Sequence, residues 1–526
     1  MNSRMAMVIY SIKSKNSIFK KMRVSSLRFG SHIVDNLDKL MSFSCHIDPS
    51  LSWSAKGSLS KNKWIPVTPQ AASGFLISEY DSPLNCTWSV DLELEDDCGS
   101  EKSNISFTLQ PDYQEDQGLL CLPVSSVNGT LDEIYLYYLF IYGYTPPDSD
   151  CGAPLTLNLP SVTQNAIHQP MIVGHAGAGA KRAHYGKGQQ WPENTICAFQ
   201  RAEQLGVKMV ECDASLTKDF EVVLHHNYSL GVVEQVRKCQ SDPSTFILEH
   251  KPDGVVNENS TDLIVNYSLS EIRELLSKID RPTNLDTAKE NKYAEPLTGN
   301  DPTPNIHGLE AAPVPLLKDA FRQTSPNLGF NVEIKYPPET PLSIIIEECN
   351  KNKSINSSLP TPYTYFSKIN RFCDKILDTI WLNAGRRYVI LSSFNPDICL
   401  ALRLKQSFLP VLFISRGEIP CDNSHRKDPR HHNIFSAMNW AVIMNLSGIV
   451  TVGQHFDSTN CVDKIPSKSL TAFLNSKQLS CFVYGDGVSE MEFFRKASQL
   501  GLTGVIVDRL DEFMQEYHKH NSETSN

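Results

Sequence analysis

Two rhythms of apolar residues divide the chain. From about Leu51 to Tyr144 the apolar positions come in short alternating or aromatic-rich runs, among them Gly74–Ser78, Thr87–Leu94, Ile105–Leu109, Leu119–Val124 and Ile134–Ile141. Period-two alternation broken by Asp, Gly and Ser predicts antiparallel strands. After residue 170 the rhythm changes. Strand-like runs at Met171–Val173, Lys208–Glu211, Val222–His225, Phe330–Ile334, Tyr388–Leu391, Val411–Ile414, Gly448–Val450, Ser480–Tyr484 and Gly504–Val507 alternate with helical stretches. The helices are predicted at Thr195–Leu205, Ser268–Lys278, Pro315–Gln323, Asn370–Ala384, Pro396–Lys405, Leu470–Ser476 and Glu490–Leu500. Such alternation predicts a parallel sheet, and about eight strand-helix units predict its closed form.

The expected fold class is therefore α/β, a (β/α)8 barrel preceded by a smaller antiparallel β domain. The expected divisions are a basic, disordered tail over 1–45, a β domain over 46–150, a linker over 151–170, the barrel over 171–515 and a short tail over 516–526. Polar tracts at Val236–Tyr267 and Arg281–Ala312 read as insertions in rim loops.

Composition narrows the function. A chain of 526 residues with 40 % hydrophobic and 21 % charged residues is long enough for two or three cores. Its formal net charge of −10 gives no broad basic field, which argues against a duplex nucleic-acid binder. The 14 cysteines form no C-x-x-C pair, so free thiols in a reducing compartment are expected and a zinc site is not. Residues 1–34 carry seven Lys or Arg, many Ser and no acid, a composition shared with mitochondrial transit peptides. No apolar run approaches the ~18 residues of a membrane span. A cytoplasmic location is the expectation, with a mitochondrial one as the alternative.

Chemistry gathers between Met171 and Leu230 and again near Glu333. In a barrel of this kind functional groups stand at the carboxyl ends of strands. Four consecutive predicted strand ends carry His175, then Glu211 with Asp213, then His225, then Glu333 with Lys335. Glu211 and Asp213 are two apart on an extended segment, so both carboxylates face one side and can share a hard cation with Glu333. Three carboxylates with water suit magnesium or calcium. His175 and His225 would sit at the rim, where one can take a proton and the other give one near neutral pH. His226 should point to the opposite side of a regular strand. Gly174, Gly177 and Gly179 allow a sharp turn close to an anion, although the spacing is neither that of a P-loop nor that of a dinucleotide fold.

The sequence of these segments, His-x-Gly, Pro192-Glu193-Asn194-Thr195, Glu-x-Asp followed by Thr217-Lys218-Asp219, Val-Val-x-His and Val-Glu-Ile-Lys, resembles the glycerophosphodiester phosphodiesterase family. The likeness runs on through Leu391–Cys399, Pro410–Ile414, Tyr484-Gly-Asp and Gly504–Arg509, and is greatest to the cytosolic glycerophosphocholine phosphodiesterases. It implies metal-assisted hydrolysis of glycerophosphocholine or a similar small-molecule diester to glycerol 3-phosphate and an alcohol. Carried over, Glu211, Asp213 and Glu333 would hold the cation, His175 and His225 would be the acid-base pair, Lys335 would touch the phosphate, and Glu193 would lie near the site. Those relatives carry an amino-terminal starch-binding domain, so a diverged or truncated copy, with a polysaccharide contact, is conceivable in the upstream region.

Two positions depart from the family pattern: Ala176 stands where the family keeps Arg, and His226 where it keeps Asp. An arginine gives phosphate a planar bidentate contact. Loss of one such transition-state contact costs on the order of 3 kcal/mol, about a hundredfold in rate. The competing class is a catalytically weak or inactive member acting as a scaffold or phosphodiester-binding protein; an enzyme of altered head-group choice is a further alternative.

Overall fold

The computed structural model describes residues 5–14, 18–29, 32–33, 40–46, 60–61, 63–66, 71–79, 87–110, 116–129, 131–148, 152–162, 169–178, 191–230, 263–279, 314–337, 340, 368–417, 428–456 and 467–524. Eight parallel strands close on themselves: β1 (Met171–Gly174), β2 (Met209–Leu216), β3 (Gly329–Ile334), β4 (Val389–Ser393), β5 (Val411–Ile414), β6 (Gly448–Val452), β7 (Ser480–Tyr484) and β8 (Gly504–Val507), with β1 paired to both β2 and β8. Between and after them lie α1 (Ile196–Gln204), α2 (Leu269–Ile279), α3 (Leu317–Gln323), α4 (Ile369–Asn383), α5 (Pro396–Lys405), α6 (Ile434–Ile443), α7 (Ser467–Ser476), α8 (Met491–Gln499) and α9 (Leu510–Thr524). This is the predicted (β/α)8 barrel.

Alternate strand residues fill the barrel. Val173, Met209, Ile390, Leu412, Val450, Phe482 and Ile506 form one buried cluster inside it, joined by Leu157 and Leu159. The opposite face of each strand packs on the helices. The predicted linker is partly built into the barrel: Leu155 N donates to Arg387 O at 2.9 Å and Val162 N to Leu479 O at 3.0 Å, both at strand beginnings, so residues 152–162 cover the amino-terminal end. The opposite end is left to the loops that carry the site.

The third of the nine predicted strands is not a barrel strand. Val222–Leu224 turns back and pairs antiparallel with β2, Ala214 opposite Leu224. Thr217 nucleates that reversal, its Oγ1 donating to Asp219 Oδ1 at 2.5 Å and accepting from Glu221 N at 3.0 Å. The sequence pattern could not distinguish the two arrangements, because a strand covered on both faces is apolar whichever way it runs.

Upstream, two antiparallel sheets stack. One has the order 117–125, 131–142, 5–14, 71–79, 40–46, 60–61; the other runs 32–33, 21–29, 88–95, 102–109. Ala6, Val8, Tyr10, Tyr135, Tyr137, Leu139 and Ile141 join the core of the barrel helices. Met7, Ile9, Ile134, Leu136 and Phe140 on the other face pack with Val24, Trp88, Val90, Leu92 and Phe107 of the second sheet.

The disordered tail expected over 1–45 is therefore wrong for Met5–Ser14, Lys21–Phe29 and Leu40–His46, which are strands. Met5–Ser14 lies between two partners and is apolar on both faces. In Lys21–Phe29 the basic residues alternate with buried Met22, Val24 and Leu27, and Arg23 pairs across the sheet with Glu93 at 2.6 Å. Charge content suggested a tail; charge spacing is that of a half-buried strand.

Helices α6 and α9 were not predicted. Ile434–Ile443 buries Ile434, Ala437, Met438, Trp440, Ala441 and Ile443, because the barrel lies on one side and strand Leu40–His46 on the other. A helix covered on several sides shows no polar stripe. Residues 236–262 of the first predicted insertion (236–267), the whole of the second (281–312) and the amino-terminal residues 1–4 lie outside the described residues, whereas Ile264–Asn266 form one helical turn. Among the described residues no helix is long and apolar enough to cross a membrane, and Cys98, Cys121, Cys197, Cys212, Cys373, Cys399 and Cys481 are free thiols.

Buried polar residues fasten the upstream sheet to the loops after β3, β4 and β5. Arg430 is fully buried and pairs with Asp397 at 2.6 Å and Asp428 at 2.7 Å. Tyr10 donates to Asp397 Oδ1 at 3.1 Å, and Thr340 to Asp428 Oδ2 at 2.7 Å. Asp116 accepts from Asn370 N at 3.0 Å and Nδ2 at 2.8 Å, while Asn370 Oδ1 accepts from Tyr142 N at 2.9 Å. Burial raises the pKa of Asp116 to about 6 against these hydrogen bonds.

Candidate active site

Parallel register decides which side chains meet. In the β2–β3 pair Asp213 stands opposite Glu333 and Glu211 opposite Asn331. Side chains two apart share a face, so Glu211, Asp213 and Glu333 converge, each offering an oxygen within 4.8 Å of the others. Such a group can hold a metal ion. Glu211 Oε1 and Asp213 Oδ1 are buried and accept no hydrogen bond, although Lys335 Nζ stands 3.4 Å from Asp213 Oδ1. Oxygens without hydrogen bonds in a buried acidic cluster suit a hard cation, and the donor set fits magnesium or calcium chemistry.

The electrostatics of the cluster are lopsided. Burial, and then the charge of Asp213, push Glu211 well above the usual carboxylate range. Burial also works against ionised Asp213, but Lys335, His226, the Asn194 hydrogen bond and His175 outweigh it and hold Asp213 below that range. Burial raises Glu333, with Lys335 opposing. A cation among the three carboxylates would favour their ionised forms.

Each flanking residue has a defined place. His175 follows β1; its main-chain N donates to Val507 O at 3.0 Å, its Nδ1 contacts Asp508 Oδ1 and its Nε2 lies 3.7 Å from Glu211 Oε2. Burial would lower the imidazolium pKa, yet Asp508, Glu211 and Asp213 together push it up to about 10. Lys335 Nζ donates to Glu333 Oε1 at 2.8 Å and sits 5.8 Å from the centre of the Tyr228 ring.

His225 is joined to the strand of the cluster through its main chain. It follows the antiparallel segment, and its N donates to Asp213 O at 2.9 Å, so the chain reversal carries it back beside β2. Its Nδ1 engages Asn227 O at 2.9 Å. The alternation that put His226 on the opposite side ends at Leu224, and His226 helps hold Asp213 ionised. Strand periodicity is no guide beyond a strand's end.

Asn194 was overlooked as an individual residue. Its Nδ2 donates to Asp213 Oδ2 at 2.7 Å and its Oδ1 accepts from Asp213 N at 2.9 Å. With φ of 59° it occupies the left-handed region that asparagine tolerates better than most residues. Glu193, singled out instead, is half-buried beside it. The signal was available in Pro-Glu-Asn-Thr: Thr195 caps α1 by accepting from Ala198 N, which leaves the preceding amide to face the barrel.

Ala176 has φ of 47°, is buried, and donates its N–H to Glu211 Oε2 at 2.9 Å. Its main chain thus serves the cluster whatever side chain it carries. Gly177, with φ of 86°, runs so close to α1 that a Cβ would stand 2.8 Å from Ala198 C. Gly179, Lys181 and Arg182 lie outside the described residues.

Comparison with known proteins finds relatives of this chain. Human glycerophosphocholine phosphodiesterase GPCPD1 is 29 % identical over 403 residues, covering 76 % of this chain and 52 % of the human protein. Glycerophosphocholine phosphodiesterase gde1 of Schizosaccharomyces pombe is 29 % identical over 346 residues, covering 64 % of this chain and 27 % of the yeast protein. The chain thus spans about half the length of the human relative or less of the yeast one. A crystal structure of a glycerophosphodiester phosphodiesterase from Thermotoga maritima, 17 % identical, aligns over 66 % of this chain and 99 % of its own with a TM-score of only 0.34. The sequence profile of the glycerophosphoryl diester phosphodiesterase family matches residues 184–512, more than half of the chain, and the protein belongs to that family.

Proposed function

We propose that this chain hydrolyses glycerophosphocholine, or a closely related glycerophosphodiester, to glycerol 3-phosphate and the free alcohol. The observation that carries the reading is the convergence of Glu211, Asp213 and Glu333, with buried oxygens that accept no hydrogen bond, beside Lys335 and His175. The names of the human and yeast relatives support the choice of head group. These three carboxylates would hold one magnesium or calcium ion, which when bound would draw charge from the phosphoryl oxygens.

The chain's own groups account for the remainder. Lys335, held between Glu333 and Asp213, offsets charge on the phosphate. In the net reaction a water oxygen forms the new bond to phosphorus and the bond from phosphorus to the alcohol oxygen breaks. One proton leaves the attacking water and one reaches the departing oxygen, which requires an acid-base pair. His175 presents Nε2 to the carboxylates. His225 donates Nδ1–H to Asn227 O, which leaves Nε2 as the nitrogen at which it would move a proton.

One observation favours a second reading, a phosphodiester-binding protein with little catalysis: Ala176 supplies no guanidinium at the turn after β1. Phosphorus-31 NMR separates the two. Glycerophosphocholine incubated with the protein and magnesium or calcium should give the monoester resonance of glycerol 3-phosphate. Persistence of the diester signal, with the protein folded and the cation bound, would leave the binding reading; a phosphocholine signal would refute the assigned bond cleavage.

A further inference from the structure

We infer that Asp508 is a positioning residue that fixes the orientation of the His175 ring. The inference rests on the hydrolase reading above and adds a residue to it. The parallel register between β1 and β8 ends with Gly174 opposite Val507, so the next residues, His175 and Asp508, leave neighbouring strands side by side where the barrel closes. Asp508 Oδ1 contacts His175 Nδ1, and the ring then directs Nε2 toward Glu211 Oε2, 3.7 Å away. A carboxylate accepts, so Nδ1 is the donor in this contact.

Both partners are fixed through their main chains. His175 N donates to Val507 O at 3.0 Å, and Asp508 N donates to Ser489 Oγ at 3.0 Å. The next residue is turned to other acids: Arg509 pairs with Glu512 at 3.1 Å and with Glu490. About half of the Asp508 side chain is exposed, so a role in core packing does not explain its place. A histidine ring has a broad, roughly two-fold preference about its second torsion. Without a partner on Nδ1 it can turn that nitrogen toward the cluster in place of Nε2. With Asp508 present, one nitrogen faces the reacting region.

The test compares Asp508→Ala and Asp508→Asn in the full chain, with glycerophosphocholine and magnesium or calcium, alongside NMR of selectively labelled histidine imidazoles. Asp508→Ala should lower kcat by about ten- to a hundredfold, the scale of a misplaced catalytic group, with KM changed by less than about twofold and cation affinity retained. Asp508→Asn still offers an oxygen to Nδ1–H and should recover most of the loss. The His175 ring signals, identified by their absence in His175→Ala, should move in Asp508→Ala and stay near their wild-type positions in Asp508→Asn. Unchanged kcat in Asp508→Ala, or loss without rescue by Asn, would overturn the inference. If the wild type proves inactive the hydrolase reading fails; unmoved ring signals in Asp508→Ala would overturn the positioning claim independently.

Discussion

Replacing Asn194 by Gly removes the amide that clamps Asp213 while keeping a residue for which φ of 59° carries no steric penalty. Alanine would mix loss of the amide with backbone strain of about 1–2 kcal/mol. Two contacts disappear: the 2.7 Å bond from Nδ2 to Asp213 Oδ2 and the 2.9 Å bond from Asp213 N to Oδ1. A hydrogen bond to a charged group contributes about 1.5–3 kcal/mol, and an ordinary one about 1 kcal/mol. The first acts on the ionised carboxylate, so its loss raises the pKa of Asp213 and frees the side chain to rotate. If half or more of that energy is expressed in cation binding, affinity falls by about ten- to a hundredfold, the range found for partners of metal ligands. Titration calorimetry with magnesium and calcium, paired with a urea melt, separates loss of the site from loss of the fold. Unchanged affinity in a folded Asn194→Gly variant would refute the claim that Asn194 supports Asp213 as a ligand.

Asp116→Asn should change the pH dependence of stability. The Asp116 carboxyl has its pKa raised by burial from 3.8 to about 6, so the folded state keeps a proton that the unfolded state releases. Its stabilising contribution is complete below pH 3.8 and lost as pH rises through 6, by about 3 kcal/mol relative to Asp116→Asn; parallel urea melts at pH 4 and 7 with the same difference between the two proteins would disprove it. Arg430→Ala strands Asp397 and Asp428 in the interior and should cost about 3–5 kcal/mol, read as a lowered unfolding midpoint. A stability unchanged within about 0.5 kcal/mol would show that the network contributes nothing. Ala176→Arg should raise kcat/KM by about ten- to a thousandfold, the range one charge-assisted contact can supply. If that change has no effect while Lys181→Ala or Arg182→Ala abolishes turnover, the loop already makes the phosphate contact.

What the sequence revealed and what it hid follow from the reach of periodicity. Glu211, Asp213 and Glu333 could be placed on one face because two-residue spacing along an extended chain fixes side-chain direction, and the register of β2 with β3 brings the three together. The strand that precedes His225 was misassigned, since nothing in Val222-Val-Leu distinguishes a barrel strand from an antiparallel return. Asn194 and Asp508 escaped individual notice because their importance lies in a partner 19 and 333 residues away. Met5–Ser14 escaped because a strand in the middle of a sheet, covered on both sides, shows no alternation to set against the surrounding basic residues.

The central claim is that Glu211, Asp213 and Glu333 hold one divalent cation on which cleavage of a glycerophosphodiester depends. Choline release from glycerophosphocholine, followed as free magnesium or calcium is varied with a chelator, tests it in the wild type and in Glu211→Gln. The account predicts saturable activation by the cation, abolition by excess EDTA with recovery when the cation is restored, and no measurable activation in Glu211→Gln although that variant folds. Release that continues undiminished in EDTA, or a Glu211→Gln variant as active as the wild type at every cation concentration, would contradict it.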